Sequence, residues 1–179
     1  MFLKDKVIKM FDIKVFENLS IESKLDNMLI MLEGLIQDET DLPITKLCNA
    51  SALIYALVGR INWCGFYLVK NNILVLGPFQ GMPACTKIEI GKGVCGTSAM
   101  KMETLLISDV HKFEGHIACD AASNSEIVVP IVKDNKLWGV LDLDSDEFDR
   151  FTELEKNYLE RSIEILNKYI NWENIIPTC

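Results

Sequence analysis

Residues 63–79 read WCGFYLVKNNILVLGPF, and this stretch decides the fold. Its two apolar runs, rich in aromatic and β-branched residues, predict strands over residues 63–70 and 73–79. Asn71 and Asn72 separate the runs, and Asn tolerates the positive φ that a two-residue hairpin turn needs. Strands joined by such a turn pair antiparallel. The stretch therefore predicts an antiparallel hairpin at the centre of the chain.

Further strands are predicted on the C-terminal side of this hairpin. Residues 126–132 and 137–144 form a second apolar pair around a polar Asp-Asn turn. Shorter apolar runs at residues 87–90 and 105–108 predict two more strands. The region between the hairpins is long and irregular, and such loops in compact domains are usually functional. We expect the functional site there.

Helices are predicted at both ends of the chain. Ser20 precedes an apolar face of helical period over residues 21–36, and the same pattern returns over residues 47–58. Thr152 and Glu155 form a capping-box sequence that opens a long C-terminal helix. Terminal helices around antiparallel strands predict an α+β fold, with a central antiparallel sheet and the N- and C-terminal helices packed on one face.

Composition limits the classes of function. The chain has 179 residues, enough for one domain with a single core. We expect that domain to span residues 21–179, with residues 1–20 as an N-terminal extension. The net charge is −8, and the sequence contains no basic patch. Because nucleic-acid binding depends on phosphate neutralisation by Lys and Arg, a nucleic-acid partner is not expected.

The hydropathy pattern argues against a membrane protein. The longest uncharged run, residues 71–86, contains Asn, Gln, Gly and Pro and is too polar to cross a bilayer. The N-terminus places Lys and Asp among its apolar residues, so it lacks the continuous apolar core of a signal peptide. We therefore expect a cytoplasmic protein without a membrane partner.

Residues 91–96 read GKGVCG and match the G-x-G-x-x-G loop of dinucleotide-binding folds. That loop requires a βαβ unit with parallel strands. The strands on either side of residues 91–96 are predicted to be antiparallel, and the match lies in the middle of the chain. We interpret it as a glycine-rich turn into a short helix.

Six cysteines are too few and too dispersed for a secreted disulfide scaffold; they are Cys48, Cys64, Cys85, Cys95, Cys119 and Cys179. Some of them, with two histidines, could form a structural zinc site, but no pair has C-x2-C spacing, so we expect neither metal nor cofactor. Cys85 and Cys119 lie in predicted loops, where a thiolate is reachable. Cys48 and Cys64 fall in a helix and a strand and are expected to be packed.

Three acidic residues lie in or beside predicted strands. Glu126 opens an apolar strand, and Asp142 and Asp144 are two residues apart, so both face the side of Trp138 and Val140. One interpretation is an ordinary solvated strand end. The other is that Trp138 dries this face, which would raise a carboxyl pKa and keep that group protonated.

Five motifs carry a resemblance to a known family. Read in order, they look like those of the GAF-domain free methionine-(R)-sulfoxide reductases: NWCGFYL (62–68), GPFQGMPAC (77–85), GKGVCG (91–96), GHIACDAASNSEIVVP (115–130) and GVLDLDS (139–145). The resemblance implies a GAF-like α+β domain. It also implies reduction of free L-methionine-(R)-sulfoxide to L-methionine, a repair of oxidative damage, and it alone supplies the preference for the R epimer.

The resemblance also implies roles for the thiols. Cys119 would attack the substrate, Cys85 would resolve the sulfenic acid as a disulfide, and Cys95 would be an auxiliary or alternative resolving thiol. Which of Cys85 and Cys95 resolves first stays open. Because the product is a redox-active protein disulfide, turnover needs an external dithiol, and thioredoxin is the implied donor.

The same resemblance implies a substrate pocket. Its acids, Glu126, Asp142 and Asp144, would bind the ammonium group and the sulfoxide oxygen, and Trp63 and Tyr67 would wall the pocket around the S-methyl group. A homodimer is expected because the family is commonly dimeric. The alternative function is a GAF sensor module that binds a small molecule without turnover, which would have no need of cysteines in loops.

Overall fold

The computed structural model describes residues 13–115 and 122–175. Within those residues it contains four α-helices, three short 3-10 helices and six strands. The helices are α1 Ile21–Ile36, α2 Pro43–Val58, α3 Gly93–Lys101 and α4 Glu153–Tyr169. The strands are β1 Trp63–Lys70, β2 Ile73–Gln80, β3 Lys87–Glu89, β4 Leu105–Ile107, β5 Ser125–Lys133 and β6 Lys136–Ser145.

The six strands form one antiparallel sheet with the order β3-β2-β1-β6-β5-β4. Asn71 and Asn72 join β1 to β2 with φ values of 52° and 61°, as a tight hairpin requires. Asp134 and Asn135 do the same between β5 and β6, with φ values of 54° and 58°. The predicted α+β fold with a central antiparallel sheet is confirmed.

The terminal helices α1, α2 and α4 pack together on one face of the sheet. Ser20 caps α1 by accepting the Ser23 amide at 3.2 Å, and Thr152 and Glu155 form the expected capping box of α4. The short helix α3 packs instead against β5 and β6 from the opposite face. The sheet therefore separates a helix-covered core from a second, smaller cluster. None of the described helices is both long and apolar enough to cross a membrane.

A β-bulge in β6 changes which face Trp138 occupies. The β5–β6 register shifts so that Gly139 and Leu137 have successive partners on β5, and Trp138 is left between them. Trp138 consequently packs against the helix-covered core, whereas Val140 belongs to the opposite cluster. The expectation that Trp138 shares the face of Asp142 is wrong, because one extra residue reverses the alternation.

A buried arginine connects the two terminal helical regions. The Arg150 guanidinium donates to Glu155 at 2.6 Å and to the carbonyls of Val58 and Gly59 at 2.9 and 3.0 Å. Both side chains of the ion pair are buried. Glu155 also accepts from the Thr152 amide. The end of α2 and the start of α4 are thereby fixed to each other.

We predict that Arg150→Ala lowers the free energy of unfolding by about 3–5 kcal/mol, because it leaves a buried carboxylate and two carbonyls without their donor. Lys156→Ala is the control, since it removes only an exposed ion pair with Glu153 and should have little effect. Urea denaturation followed by circular dichroism measures both. Equal effects of the two substitutions would contradict this account of Arg150.

Candidate functional site

Three adjacent strands project the predicted acids and Trp63 from the face that α1, α2 and α4 leave free. In the β1–β6 pairing, Trp63 lies opposite Asp144, and Gly65 lies opposite Asp142. In the β5–β6 pairing, Glu126 lies opposite Asp144. Directly paired residues point to the same side of a sheet. The four side chains predicted from the sequence therefore share one face.

The glycine-rich turn brings Cys95 to this face. Gly91 donates its amide to the Gly96 carbonyl at 2.7 Å, and its φ is +87°. A side chain at Gly96 would lie 2.3 Å from the Glu89 carbonyl oxygen, so only glycine permits the close approach of α3 to β3. The predicted turn into a short helix is confirmed, and Cys95 lies in the first turn of α3.

Cys95, Glu126 and Asp142 form a compact buried cluster. The Cys95 thiol donates to Glu126 Oε1 across 3.8 Å, and one ligand atom from each of the three residues lies within 4.8 Å of the others. Glu126 and Asp142 are each only 6% exposed. No ion pair within the described residues joins either carboxyl to Lys, Arg or His. Within the described residues, the cluster is therefore acidic, buried and not paired with a positive charge.

Burial determines how these groups titrate. Removal from water raises the pKa of Asp142 to about 7, and the pKa of Glu126 lies well above its usual range because burial and the Asp142 charge act together. Burial also raises the pKa of the Cys95 thiol. Asp142 Oδ1 has no hydrogen-bond partner among the described residues. The cluster thus retains protons near neutral pH and has an unused acceptor.

Trp63 and Tyr67 border the cluster and hold the loop that follows β2. The Trp63 ring stacks between Tyr67 and Phe79, with centroid distances of 5.9 and 5.5 Å. Trp63 Nε1 donates to the Met82 carbonyl at 3.0 Å, and the Tyr67 hydroxyl donates to the Cys85 carbonyl at 3.0 Å. The two aromatic residues therefore form an apolar wall and also fix the loop of Cys85 beside it.

Sequence reasoning missed two residues that shape this wall. Gly65 makes room for the Trp63 ring, because a side chain there would lie 2.5 Å from that ring and from Phe79 Cβ. A glycine inside an otherwise apolar strand is the signal that indicates such a close approach. Phe79 completes the stack, but nothing in its sequence context distinguishes it from a core residue. Val128 and Val140, both fully buried, supply the apolar surroundings on the face of Asp142 that Trp138 was expected to supply.

The cysteines differ in state and exposure. Cys85 is disulfide-bonded, whereas Cys48, Cys64 and Cys95 are free. Cys64 is buried as expected, but Cys48 is exposed on α2, so its expected packing is wrong. Cys119, the predicted nucleophile, lies outside the described residues. Asp144 is half-buried at the border of the cluster.

This chain is similar to a known domain family and to proteins of known name. Residues 26–168 match the family model of the GAF domain. Free methionine-R-sulfoxide reductase of Escherichia coli is 51% identical over 127 residues, covering 71% of this chain and 77% of the relative. The enzyme of the same name from Saccharomyces cerevisiae is 44% identical over 159 residues, covering 84% and 88%.

Solved structures give the same result. The free methionine-R-sulfoxide reductase of Neisseria meningitidis, crystallised in complex with its substrate, superimposes with a TM-score of 0.83 at 39% identity. The alignment covers 89% of this chain and 95% of that one.

We predict that Asp142→Asn makes the protein more stable at pH 8 by about 2–4 kcal/mol and leaves it nearly unchanged at pH 4. The folded protein holds the Asp142 proton up to about pH 7, whereas an unfolded chain releases it near the ordinary value of 3.8. The contribution of Asp142 to stability therefore falls as pH rises between these values, and the neutral amide removes that loss. Denaturant titrations at several pH values measure the effect.

Asp146→Asn is the matched control, because Asp146 is exposed just beyond β6. It should leave the pH profile of stability unchanged. An Asp142→Asn profile that runs parallel to the wild-type profile from pH 4 to pH 8 would contradict the buried, uncompensated carboxyl.

Proposed function

This chain belongs to the GAF-domain family and, within it, to the free methionine-R-sulfoxide reductases, and we propose that it reduces free L-methionine-(R)-sulfoxide to L-methionine. The observation that carries this proposal is the buried cluster of Cys95, Glu126 and Asp142, which has two carboxyls and no cation within the described residues. Such a site is suited to a ligand that brings its own positive charge and accepts a proton.

The carboxyls support selectivity for the free amino acid. A free amino acid carries an ammonium group, which can supply the charge missing at Glu126 and Asp142 and use the unpaired Asp142 Oδ1. In a peptide, the corresponding nitrogen is an uncharged amide, so the carboxylates would stay buried and unpaired. Asp144, half-buried on the same strand, adds a third acceptor at the border.

The raised carboxyl pKa values support proton donation. A sulfoxide oxygen leaves sulfur readily only after protonation, which requires an acid that is still protonated near neutral pH. Glu126 and Asp142 oppose each other's ionisation, so one carboxyl can stay protonated for the oxygen while the other binds the ammonium. Trp63 and Tyr67 offer the apolar wall for the S-methyl group.

We propose that Cys119 is the nucleophile. Its thiolate attacks the sulfoxide sulfur, the oxygen passes to Cys119 as a sulfenic acid, and methionine is released. The thiol of Cys85 then condenses with the sulfenic acid, which forms a disulfide and releases water. The disulfide-bonded state of Cys85 supports its role as the resolving residue.

Cys95 is better suited to an auxiliary role than to first resolution. It is buried, donates its S–H toward Glu126, and has a raised pKa. Its sulfur is consequently a poor nucleophile at neutral pH in this arrangement. We propose that Cys85 resolves first.

Turnover requires reduction of the protein disulfide by an external dithiol, and thioredoxin is the proposed donor. The cytoplasmic location, the homodimer and the domain limits at residues 21–179 remain predictions.

A coupled assay tests the reaction, with NADPH consumption measured through thioredoxin and thioredoxin reductase. We expect turnover of the free R epimer and none of the S epimer or an N-blocked analogue. Cys119→Ser should lower kcat by about 10³-fold or more, since it removes the attacking thiol. Cys48→Ser, at an exposed cysteine on α2, is the control and should retain the wild-type rate. A folded protein that binds the substrate without turning it over would overturn the enzyme and favour the sensor module.

The order of resolution is tested by a single turnover without thioredoxin. In Cys85→Ser we expect the sulfenic acid to accumulate and react with dimedone, and steady-state kcat to fall by about 10–100-fold because slower condensation limits it. In Cys95→Ser a disulfide should still form. Accumulation of the sulfenic acid in Cys95→Ser but not in Cys85→Ser would reverse the proposed order.

A further inference from the structure

We propose that Cys95, Glu126 and Asp142 also bind one thiophilic divalent cation of the Zn²⁺ class, which occupies the place of the substrate ammonium and thereby inhibits the enzyme. The inhibition rests on the proposed function, whereas the binding of the cation does not.

The donor atoms have the spacing that such an ion needs. With Zn–S and Zn–O bonds of about 2.3 and 2.0 Å, the S–O edge of a tetrahedral site is about 3.5 Å. The observed separation between Cys95 Sγ and Glu126 Oε1 is 3.8 Å, and the atom offered by Asp142 lies within 4.8 Å of both. Closing the site around an ion requires the Sγ–Oε1 distance to contract by about 0.3 Å, and the distances from the Asp142 oxygen to contract by at most about 1.3 Å to the sulfur and about 1.5 Å to Glu126.

Burial makes this cluster different from an ordinary acidic surface. Asp142 is only 6% exposed, and in the described part of the chain its Oδ1 has no hydrogen-bond partner. A buried carboxyl oxygen without a donor is costly, and a metal ion can use it. In the described part of the chain, no other group of three His, Cys, Asp or Glu side chains is close enough to share an ion.

The thiol explains the preference for a thiophilic ion. Thiolate selects Zn²⁺ or Cd²⁺ over Mg²⁺ and Ca²⁺, which prefer all-oxygen sites. Binding releases the proton of the Cys95 thiol and the proton held by the carboxyl pair, so no oxidant or reductant takes part. Three protein ligands leave a fourth position for water. Because the ion and an ammonium group both need Glu126 and Asp142, only one of them can bind at a time.

Cd²⁺ titration tests the site through the ultraviolet charge-transfer absorption of the cadmium–thiolate bond. The full chain is used without reductant, because Cys85 is then disulfide-bonded and cannot compete for the ion. We expect one Cd²⁺ per chain with micromolar or tighter affinity at pH 7.5. The affinity should fall by about tenfold or more per pH unit on acidification, since protons are displaced.

Variants identify the ligands. Cys95→Ser should abolish the absorption, whereas Cys48→Ser, at the exposed thiol on α2, should retain it. Glu126→Gln and Asp142→Asn keep the thiol and should each weaken Cd²⁺ binding by about tenfold or more. These two variants decide the matter if Cys95→Ser fails to fold. Absorption that persists in Cys95→Ser, or affinity unchanged in both carboxyl variants, overturns the site.

Competition tests the shared position. Free methionine sulfoxide should weaken the apparent Cd²⁺ affinity in proportion to its concentration, and N-acetylmethionine sulfoxide should not. Cadmium binding that depends on Cys95 but is indifferent to free methionine sulfoxide overturns the proposed inhibition. Turnover of the chelator-treated enzyme is measured separately, so a failure of the proposed reductase activity is distinguished from a failure of the metal site.

Discussion

The structure depends on a single electrostatic constraint: two carboxyls, Glu126 and Asp142, are buried side by side without a positive charge in the described part of the chain. Their ionisation opposes folding, because water can no longer solvate the charge. The fold must therefore hold them by packing and by the hydrogen-bonded ladder of β5 and β6. A substrate ammonium group reduces the same electrostatic cost. The unfavourable ionisation that destabilises the free protein therefore favours binding of the ligand.

On the face of the sheet that α1, α2 and α4 leave free, the packed aromatic residues both form the pocket wall and hold the loop that carries Cys85. Trp63 lies against Gly65 and borders the acidic cluster, and its indole N–H holds the Met82 carbonyl. Tyr67 holds the carbonyl of Cys85 in the same way. The same aromatic residues thus form the wall of the pocket and fix the position of the disulfide-bonded Cys85. A substitution in this aromatic stack would therefore alter both the affinity for the substrate and the rate of the redox step.

The architecture was accessible from the sequence because its signals are local. Asn71 and Asn72 fix one turn, Ser20 caps α1, and Thr152 opens α4 with its capping box. The prediction of the sheet face on which Trp138 lies was wrong. The bulge beside Trp138 depends on how β6 pairs with β5, and the alternation of apolar and polar residues along β6 does not reveal it.

The site was only partly accessible. Asp142 and Asp144 share a face because side chains two residues apart on a strand point to the same side. The pairing of β6 with β1 and β5 places Trp63 and Glu126 on that face as well. The contact of Cys95 with Glu126, 31 residues away in sequence, depends on where the Gly91–Gly96 turn places α3. No periodicity predicts that placement. The roles of the thiols came from the family resemblance alone, and Cys119 lies outside the described residues.

We infer that the buried carboxyls of Glu126 and Asp142 select a ligand that carries an ammonium group. Calorimetric affinities of free methionine-(R)-sulfoxide and its N-acetyl derivative, measured for wild type and for Asp142→Asn, test it most directly. Wild type should prefer the free amino acid by about 100-fold or more, and the substitution should remove most of that preference. Equal affinities of wild type for the two ligands, or a preference that survives Asp142→Asn intact, would contradict the account.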